Sequence, residues 1–219
     1  MRSIVVHSGG LDSSVILTEE VATFGPSNVL SIGFDYGQRH RKELAAAQAL
    51  CKHLGCERRE IDISSLSQVL KGSALTDAVS VPHGHYAAEN MKLTIVPNRN
   101  AIMANIAIAA AVSFGCDRVC LGIHAGDHAI YPDCRPEFLD AMNRLAEIAN
   151  DHRVEIVAPI LRMNKAEVVA IGIRNGTRFD LTWTCYEGGD APCGKCGSCV
   201  ERAEAFAANG ISDPLVSQS

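Results

Sequence analysis

The chain has 219 residues, a formal net charge of −5 and a sequence pI near 5.9, a balance that argues against a basic nucleic-acid binder. Hydrophobic residues reach 47% while aromatics stay at 5%, which suits one α/β domain with an aliphatic core.

Ser3 to Val6 reads as a first strand, entered with no charged leader or apolar signal core, and a Gly-Gly turn leads to a helix from about Ser13 to Thr23. Val29 to Phe34 is a second strand, followed by the polar loop Asp35-Tyr36-Gly37-Gln38-Arg39-His40. The next helix sets Leu44, Ala47, Cys51 and Leu54 on one stripe, and Glu57 to Ile63 is a third strand. Gly72 to Lys92 carries Pro82, Gly84 and two histidines with little periodicity, and is expected to be a long surface loop or flap. Leu93 to Val96 leads into Pro97-Asn98-Arg99-Asn100 and a small-residue helix from Ala101 to Phe114, too short to cross a bilayer. Arg118 to Ile123 is a strand opening into a polar loop, His124 to Cys134; a helix covers Pro136 to Asn150. Val154 to Val157 is a last strand and Lys165 to Arg174 a further helix. This alternation predicts an open, mostly parallel Rossmann-like sheet with helices on both faces over residues 1–180. The segment 181–219, four cysteines and a helix, is expected to pack on the same domain, and the protein to be cytoplasmic.

In that compartment the nine cysteines are expected to stay reduced. Cys51, Cys56, Cys116, Cys120 and Cys134 are scattered and read as small buried residues. Cys185, Cys193, Cys196 and Cys199 instead follow the pattern C-x7-C-x2-C-x2-C, with glycines that let the backbone wrap. Four thiolates suit a closed tetrahedral zinc site of structural type, with an iron–sulfur cluster as the rival.

Ser8-Gly9-Gly10-Leu11-Asp12-Ser13-Ser14 lies between the first strand and the first helix. The glycines bring bare backbone close to a ligand, the turn amides and helix dipole favour an anion, and the serines add hydroxyl donors. No Gly-Lys-Ser/Thr follows and the G-x-G-x-x-G spacing is missing, so neither the Walker A loop nor the dinucleotide fingerprint is present. Asp12 would repel phosphate unless it meets a magnesium ion, which makes a metal-bridged pyrophosphate the simplest ligand. A mere tight turn with polar caps is the bland alternative. By position alone His7 and the helical residues Val15, Ile16 and Leu17 are expected to line the nucleotide site. Gln38, Arg39 and His40 are expected to approach it from the second strand's end, where ligands gather in open α/β sheets.

Ser-Gly-Gly-x-Asp-Ser resembles the loop of the N-type ATP pyrophosphatases, which implies adenylation of a substrate oxygen. A closer resemblance rests on Asp35-Tyr36-Gly37-Gln38-Arg39-His40, Val96-Pro97-Asn98-Arg99-Asn100, Tyr131-Pro132-Asp133-Cys134-Arg135-Pro136-Glu137-Phe138 and Thr182-Trp183-Thr184-Cys185-Tyr186, leading to the other cysteines. Over about residues 3–206 the sequence is similar to the 7-cyano-7-deazaguanine synthase family of queuosine biosynthesis. That resemblance implies a ligase acting on 7-carboxy-7-deazaguanine, ATP with Mg2+, and ammonia, by way of an adenylated acid and an adenylated amide. It also implies zinc on the four cysteines and a homodimer, with no nucleic acid or membrane as partner.

On that reading the residues expected to carry the chemistry are Asp12, Arg99, Lys165, Asp133 and Arg135. Arg99 is either a clamp on phosphate or carboxylate or a solvated loop arginine. Asp133 and Arg135 read the deazaguanine edge or the carboxylate, unless Asp133 only caps a helix. Lys165 either steadies developing phosphate charge or faces solvent. His83, His85, His124 and His128 lie in polar loops and none reads as a metal ligand. The sequence departs from the family pattern at His7, where an apolar residue is expected, and at Gly126-Asp127-His128-Ala129-Ile130. The rival readings are an RNA-thiolating enzyme of the same superfamily, which would want a basic surface, and a non-catalytic nucleotide sensor.

Overall fold

The computed structural model describes residues 2–38, 41–77, 80–84 and 89–216. Arg39, His40 and His85 therefore lie outside the described residues.

Five parallel strands, β1 (Ser3–Val6), β2 (Val29–Asp35), β3 (Glu57–Asp62), β4 (Arg118–Cys120) and β5 (Glu155–Val157), form one sheet in the order β3-β2-β1-β4-β5. The helices between and after them are α1 (Leu11–Phe24), α2 (Lys42–Leu54), α3 (Arg99–Phe114), α4 (Pro136–Ala149), α5 (Lys165–Arg174) and α6 (Gly197–Ala208). Alternation along each strand feeds two cores. Ile4, Leu30, Ile32, Phe34, Val119 and Ile156 face the side closed by α3 and α4. Val5, Val29 and Cys120 face the other, closed by α1, α2, α5 and α6. Every residue of β2 is buried, as expected of a strand covered on both faces. β3 lies at an edge, and its charged run Glu57-Arg58-Arg59-Glu60 discourages pairing with another chain.

Three boundaries differ from the sequence reading by two residues or more, each for a local reason. α1 starts at Leu11 with extended Gly10 as its cap, so Asp12 stands in the first turn. α3 starts at Arg99, because Asn98 adopts a left-handed conformation (φ 58°) and the Asn100 amide finds a partner outside the helix in Asp133, at 3.0 Å. β4 stops at Cys120, and Gly122 beyond it packs against the backbone of Ser13. The expected surface loop Gly72 to Lys92 is corrected: Ser73, Ala74, Leu75, Val81 and Met91 are all buried. The breakers Pro82 and Gly84 end regular structure there, but the apolar side chains on either side of them still dock. The stretch Met91–Phe114 is long and apolar enough, by length and composition, to cross a membrane. Within it Met103, Ala104, Ala107, Ile108 and Ala111 of α3 form a buried stripe in the core against the sheet.

Candidate active site and cysteine cluster

The strand order places β1 and β4 side by side in the middle of the sheet, with the chain crossing to opposite faces after each. A ligand crevice is expected outside the carboxyl ends of strands at such a switch point. A cleft opens there, with His7, Ser8, Gly10, Leu11, Asp12 and Ser13 on one wall. Phe34, Tyr36, Arg99, Asn100, Met103, Tyr131 and Tyr186 make another.

The loop after β1 is built around its glycines. Gly9 has φ +96°, and a Cβ there would sit 2.0 Å from the carbonyl oxygen of Glu43 in α2. Its own carbonyl accepts from the Trp183 amide at 2.9 Å. The Ser8 hydroxyl accepts from the Gly10 amide at 3.1 Å and lies 3.2 Å from the Ser13 hydroxyl, which donates to the Gly10 carbonyl. Gly9→Ala is therefore expected to cost more than the roughly 1–3 kcal/mol of left-handed strain alone, because backbone must also move. The check is chemical denaturation, and an unchanged midpoint would show that α2 can retreat.

Around Asp12 four charged or titratable side chains gather from three segments. Lys165, first residue of α5, donates to both Asp12 carboxylate oxygens at 2.8 and 2.7 Å and lies 3.2 Å from Glu201 of α6. His124 lies 3.4 Å from Asp127 and 3.9 Å from Asp12. Burial pushes the Asp12 carboxyl up, but Lys165 and His124 outweigh it and hold the group below its ordinary value. Lys165 is likewise pulled down by burial and raised overall by Asp12, Glu201 and Asp127. Both groups are thus charged at neutral pH. A cation with three carboxylates beside the glycine loop is chemically suited to a polyanion whose charge a hard metal ion shares.

The structure sorts the residues singled out in the sequence. Asp12, Arg99 and Lys165 line the cleft together with His7, Ser8, Gly10, Leu11 and Ser13, and Gly9 forms the turn beneath them. Val15, Ile16 and Leu17 lie behind the loop, wholly buried in the core with α5 and α6. Ser14 points the same way, and its hydroxyl lies 3.1 Å from Nε2 of the fully buried His7, whose Nδ1 meets the Ser31 hydroxyl. Gln38 is buried as a staple for its own loop, accepting from the Tyr36 amide and donating to the Phe34 carbonyl and Glu43. Asp133 does not reach the cleft, because its carboxylate caps α3 through the Asn100 amide. Arg135 is exposed and donates to the His128 carbonyl, tying its loop. The sequence reading missed Tyr36, Tyr131, Tyr186, Asp127 and Glu201 as cleft residues. A hint was present for the tyrosines, since each lies in one of the motif segments; Glu201 sits on the C-terminal helix, which was expected only to pack on the domain.

Beside this cleft the ligand atoms of Cys185, Cys193, Cys196 and Cys199 lie within 4.8 Å of one another, a set that could hold a metal ion. Backbone amides aim at the sulfurs: Cys193 N–H at Cys185 Sγ, and those of Lys195 and Cys196 at Cys193 Sγ, at 3.3 to 3.4 Å. The cluster is wired to the glycine loop. Trp183 bonds the Cys185 carbonyl through Nε1 at 3.0 Å and Gly9 through its amide, while Lys42 lies 5.0 Å over its ring. α6, which begins beside Cys196, carries Ser198 and Glu201 into the cleft.

The 7-cyano-7-deazaguanine synthase 1 of Colwellia psychrerythraea is 50% identical over 214 residues, covering 98% of this chain and 97% of that one. Among solved structures the U34-tRNA thiolase NcsA of Methanococcus maripaludis, with its [4Fe-4S] cluster, is similar at a TM-score of 0.50 and 17% identity, covering 81% of this chain and 57% of that one. NMN synthetase from Francisella tularensis reaches a TM-score of 0.51 at 12% identity, covering 96% and 78%. Those two likenesses speak for the fold. Residues 2–210 match the family described as queuosine biosynthesis protein QueC, and with that match and the half-identical full-length relative the chain belongs to this family.

Proposed function

We propose that the protein converts 7-carboxy-7-deazaguanine and ammonia to 7-cyano-7-deazaguanine, splitting ATP to AMP and pyrophosphate in each of two activations. The observation that carries this reading is the Lys165–Asp12 pair set on the glycine loop at the switch point of the sheet. In the first activation a carboxylate oxygen attacks the α-phosphorus and pyrophosphate leaves, giving the acyl adenylate. Ammonia then adds to the acyl carbon, and loss of AMP and a proton leaves the primary amide. The amide oxygen attacks the α-phosphorus of a second ATP, pyrophosphate and a proton leave, and loss of AMP with the second N–H proton gives the nitrile.

The loop amides and the hydroxyls of Ser8 and Ser13 hold the β- and γ-phosphates, which become the leaving group, and Lys165 offsets the charge that builds there. Asp12, supported by the neighbouring carboxylates of Asp127 and Glu201, would hold a magnesium ion that shares the pyrophosphate charge. The chain's own contribution is positioning and electrostatics, as expected where the attacking oxygen belongs to the substrate.

We assign zinc to the four cysteines. A tetrahedral zinc with bonds of about 2.3 Å needs sulfurs about 3.8 Å apart, and Cys193 and Cys199 are 4.0 Å apart. A four-iron cluster, whose cysteines each bind a different iron, holds its sulfurs further apart. With four protein ligands no position stays open, so the ion is structural. The enzyme works in the cytoplasm as a homodimer on small molecules, and the net charge of −5 fits poorly with an RNA partner.

The test is to incubate the protein with α-labelled ATP, ammonia and 7-carboxy-7-deazaguanine. AMP and the nitrile should appear only when the deazapurine is present. Release of ADP, or AMP independent of the deazapurine, would overturn the reading.

A further inference from the structure

Arg99 opens α3 and is aimed by two devices, the left-handed Asn98 before it and the Asp133 cap on the amide after it. Its guanidinium lies 5.8 Å over the Tyr36 ring, and Nη1 donates to the Tyr36 hydroxyl at 3.4 Å. Among the described residues no carboxylate lies within ion-pair distance of it. Asp133 acts on it only from further off, its carboxylate being engaged by α3. The groups that surround Arg99 are phenols: Tyr36 from the loop after β2, Tyr131 from the loop before α4, and Tyr186 beside the cysteine cluster. Burial drives the Tyr36 hydroxyl up to about 12 and Tyr186 well above its ordinary value, so both are neutral at pH 7 and neither cancels the arginine.

The result is a full positive charge, partly withdrawn from water, on a cleft wall where no described carboxylate pairs with it. Such a charge is costly unless a ligand supplies the anion. Among the described residues lining this cleft the other lysine or arginine, Lys165, is already held by Asp12 and Glu201 beside the glycine loop. The loop amides and Lys165 would already serve the phosphates, which leaves Arg99 for a second anion. The ring walls around it select a flat aromatic body, and a guanidinium fork matches a carboxylate in two parallel bonds.

We propose that Arg99, framed by Tyr36, Tyr131 and Tyr186, is the clamp for the acid substrate, binding the carboxylate of a planar heterocycle and losing its hold once that group becomes a neutral amide. This rests on the two-step reading above and divides its steps, because Arg99 serves the acid step and not the amide step. The clamp gives the enzyme its preference for an acid at the outset.

The experiment compares wild type, Arg99→Lys and Arg99→Gln with 7-carboxy-7-deazaguanine and with the corresponding primary amide, following AMP release, and measures binding of the acid alone by calorimetry without ATP. For Arg99→Gln the KM for the acid should rise by about 10–100-fold, the range for loss of charge-assisted hydrogen bonds. Arg99→Lys, a point charge without the fork, should fall between. Turnover of the amide and the KM for ATP should stay near wild type in both variants. A parallel loss on acid and amide, or a raised KM for ATP, would assign Arg99 to the nucleotide or to the fold and overturn the clamp; so would an unchanged KM for the acid. Acid binding that needs Arg99 in a wild-type protein without turnover would preserve the clamp and sink the two-step function instead.

Discussion

Asp12→Ala is expected to lower AMP formation by roughly 10²–10³-fold, the range seen when one preorganised electrostatic contact to a transition state is removed, while leaving the fold intact. The structure explains why this substitution is cleaner than removing its partner. Without Asp12, Lys165 still has Glu201 at 3.2 Å, so no buried cation is stranded. Without Lys165, the carboxylates of Asp12, Glu201 and Asp127 would face one another with His124 as the remaining cationic candidate, and stability would fall along with activity. Asp12→Ala should therefore melt near the wild-type temperature and bind ATP less well when magnesium is present, whereas Lys165→Met should lose several degrees. The measurement is kcat for AMP release beside thermal unfolding of both variants. Turnover by Asp12→Ala within a few fold of wild type would remove the carboxylate from the phosphate chemistry.

Much of this site was legible in the sequence because its parts are local. A strand, two glycines and a helix start suffice to define the loop from Ser8 to Ser13, and the cysteine spacing alone announced a cluster. The parallel sheet with helices on both faces was legible for a similar reason: strands buried on both sides show as apolar runs such as Val29 to Phe34. What could not be read were partnerships across long separations. Asp12 and Lys165 are 153 positions apart, and nothing local to Asn164-Lys165-Ala166-Glu167 distinguishes a cleft lysine from a solvent-facing one. Asp133 was read as a substrate reader or a helix cap, and its carboxylate accepts from the Asn100 amide at the start of α3, next to Arg99 in the chain. Ser14 was placed on the phosphates with the rest of the loop, and Val15, Ile16 and Leu17 by adjacency, whereas the helix turns Ser14 to the buried His7 and the other three into the core. Adjacency in sequence located the neighbourhood, and side-chain direction decided membership.

The largest structural effect should come from Cys196→Ser. Cys196 is wholly buried, pairs with His83 as an isolated bridge, and directly precedes the first residue of α6. A structural zinc contributes on the order of 10 kcal/mol to ordering its segment, and replacing one thiolate forfeits much of that. The loss would not stay local. Trp183 ties the cysteines to the Gly9 carbonyl, and α6 carries Glu201 to Lys165, so the cleft would loosen on both sides. The variant should be insoluble or melt at least about 10 °C lower, each kcal/mol being worth roughly 2–4 °C in a chain of this size, and elemental analysis should find its zinc gone. Cys116→Ser provides the control, since Cys116 is equally buried but lies outside the quartet. It should keep its metal even if packing suffers. Full zinc content and a wild-type melt for Cys196→Ser, or metal loss shared equally by Cys116→Ser, would break the link between the cysteine cluster and the cleft.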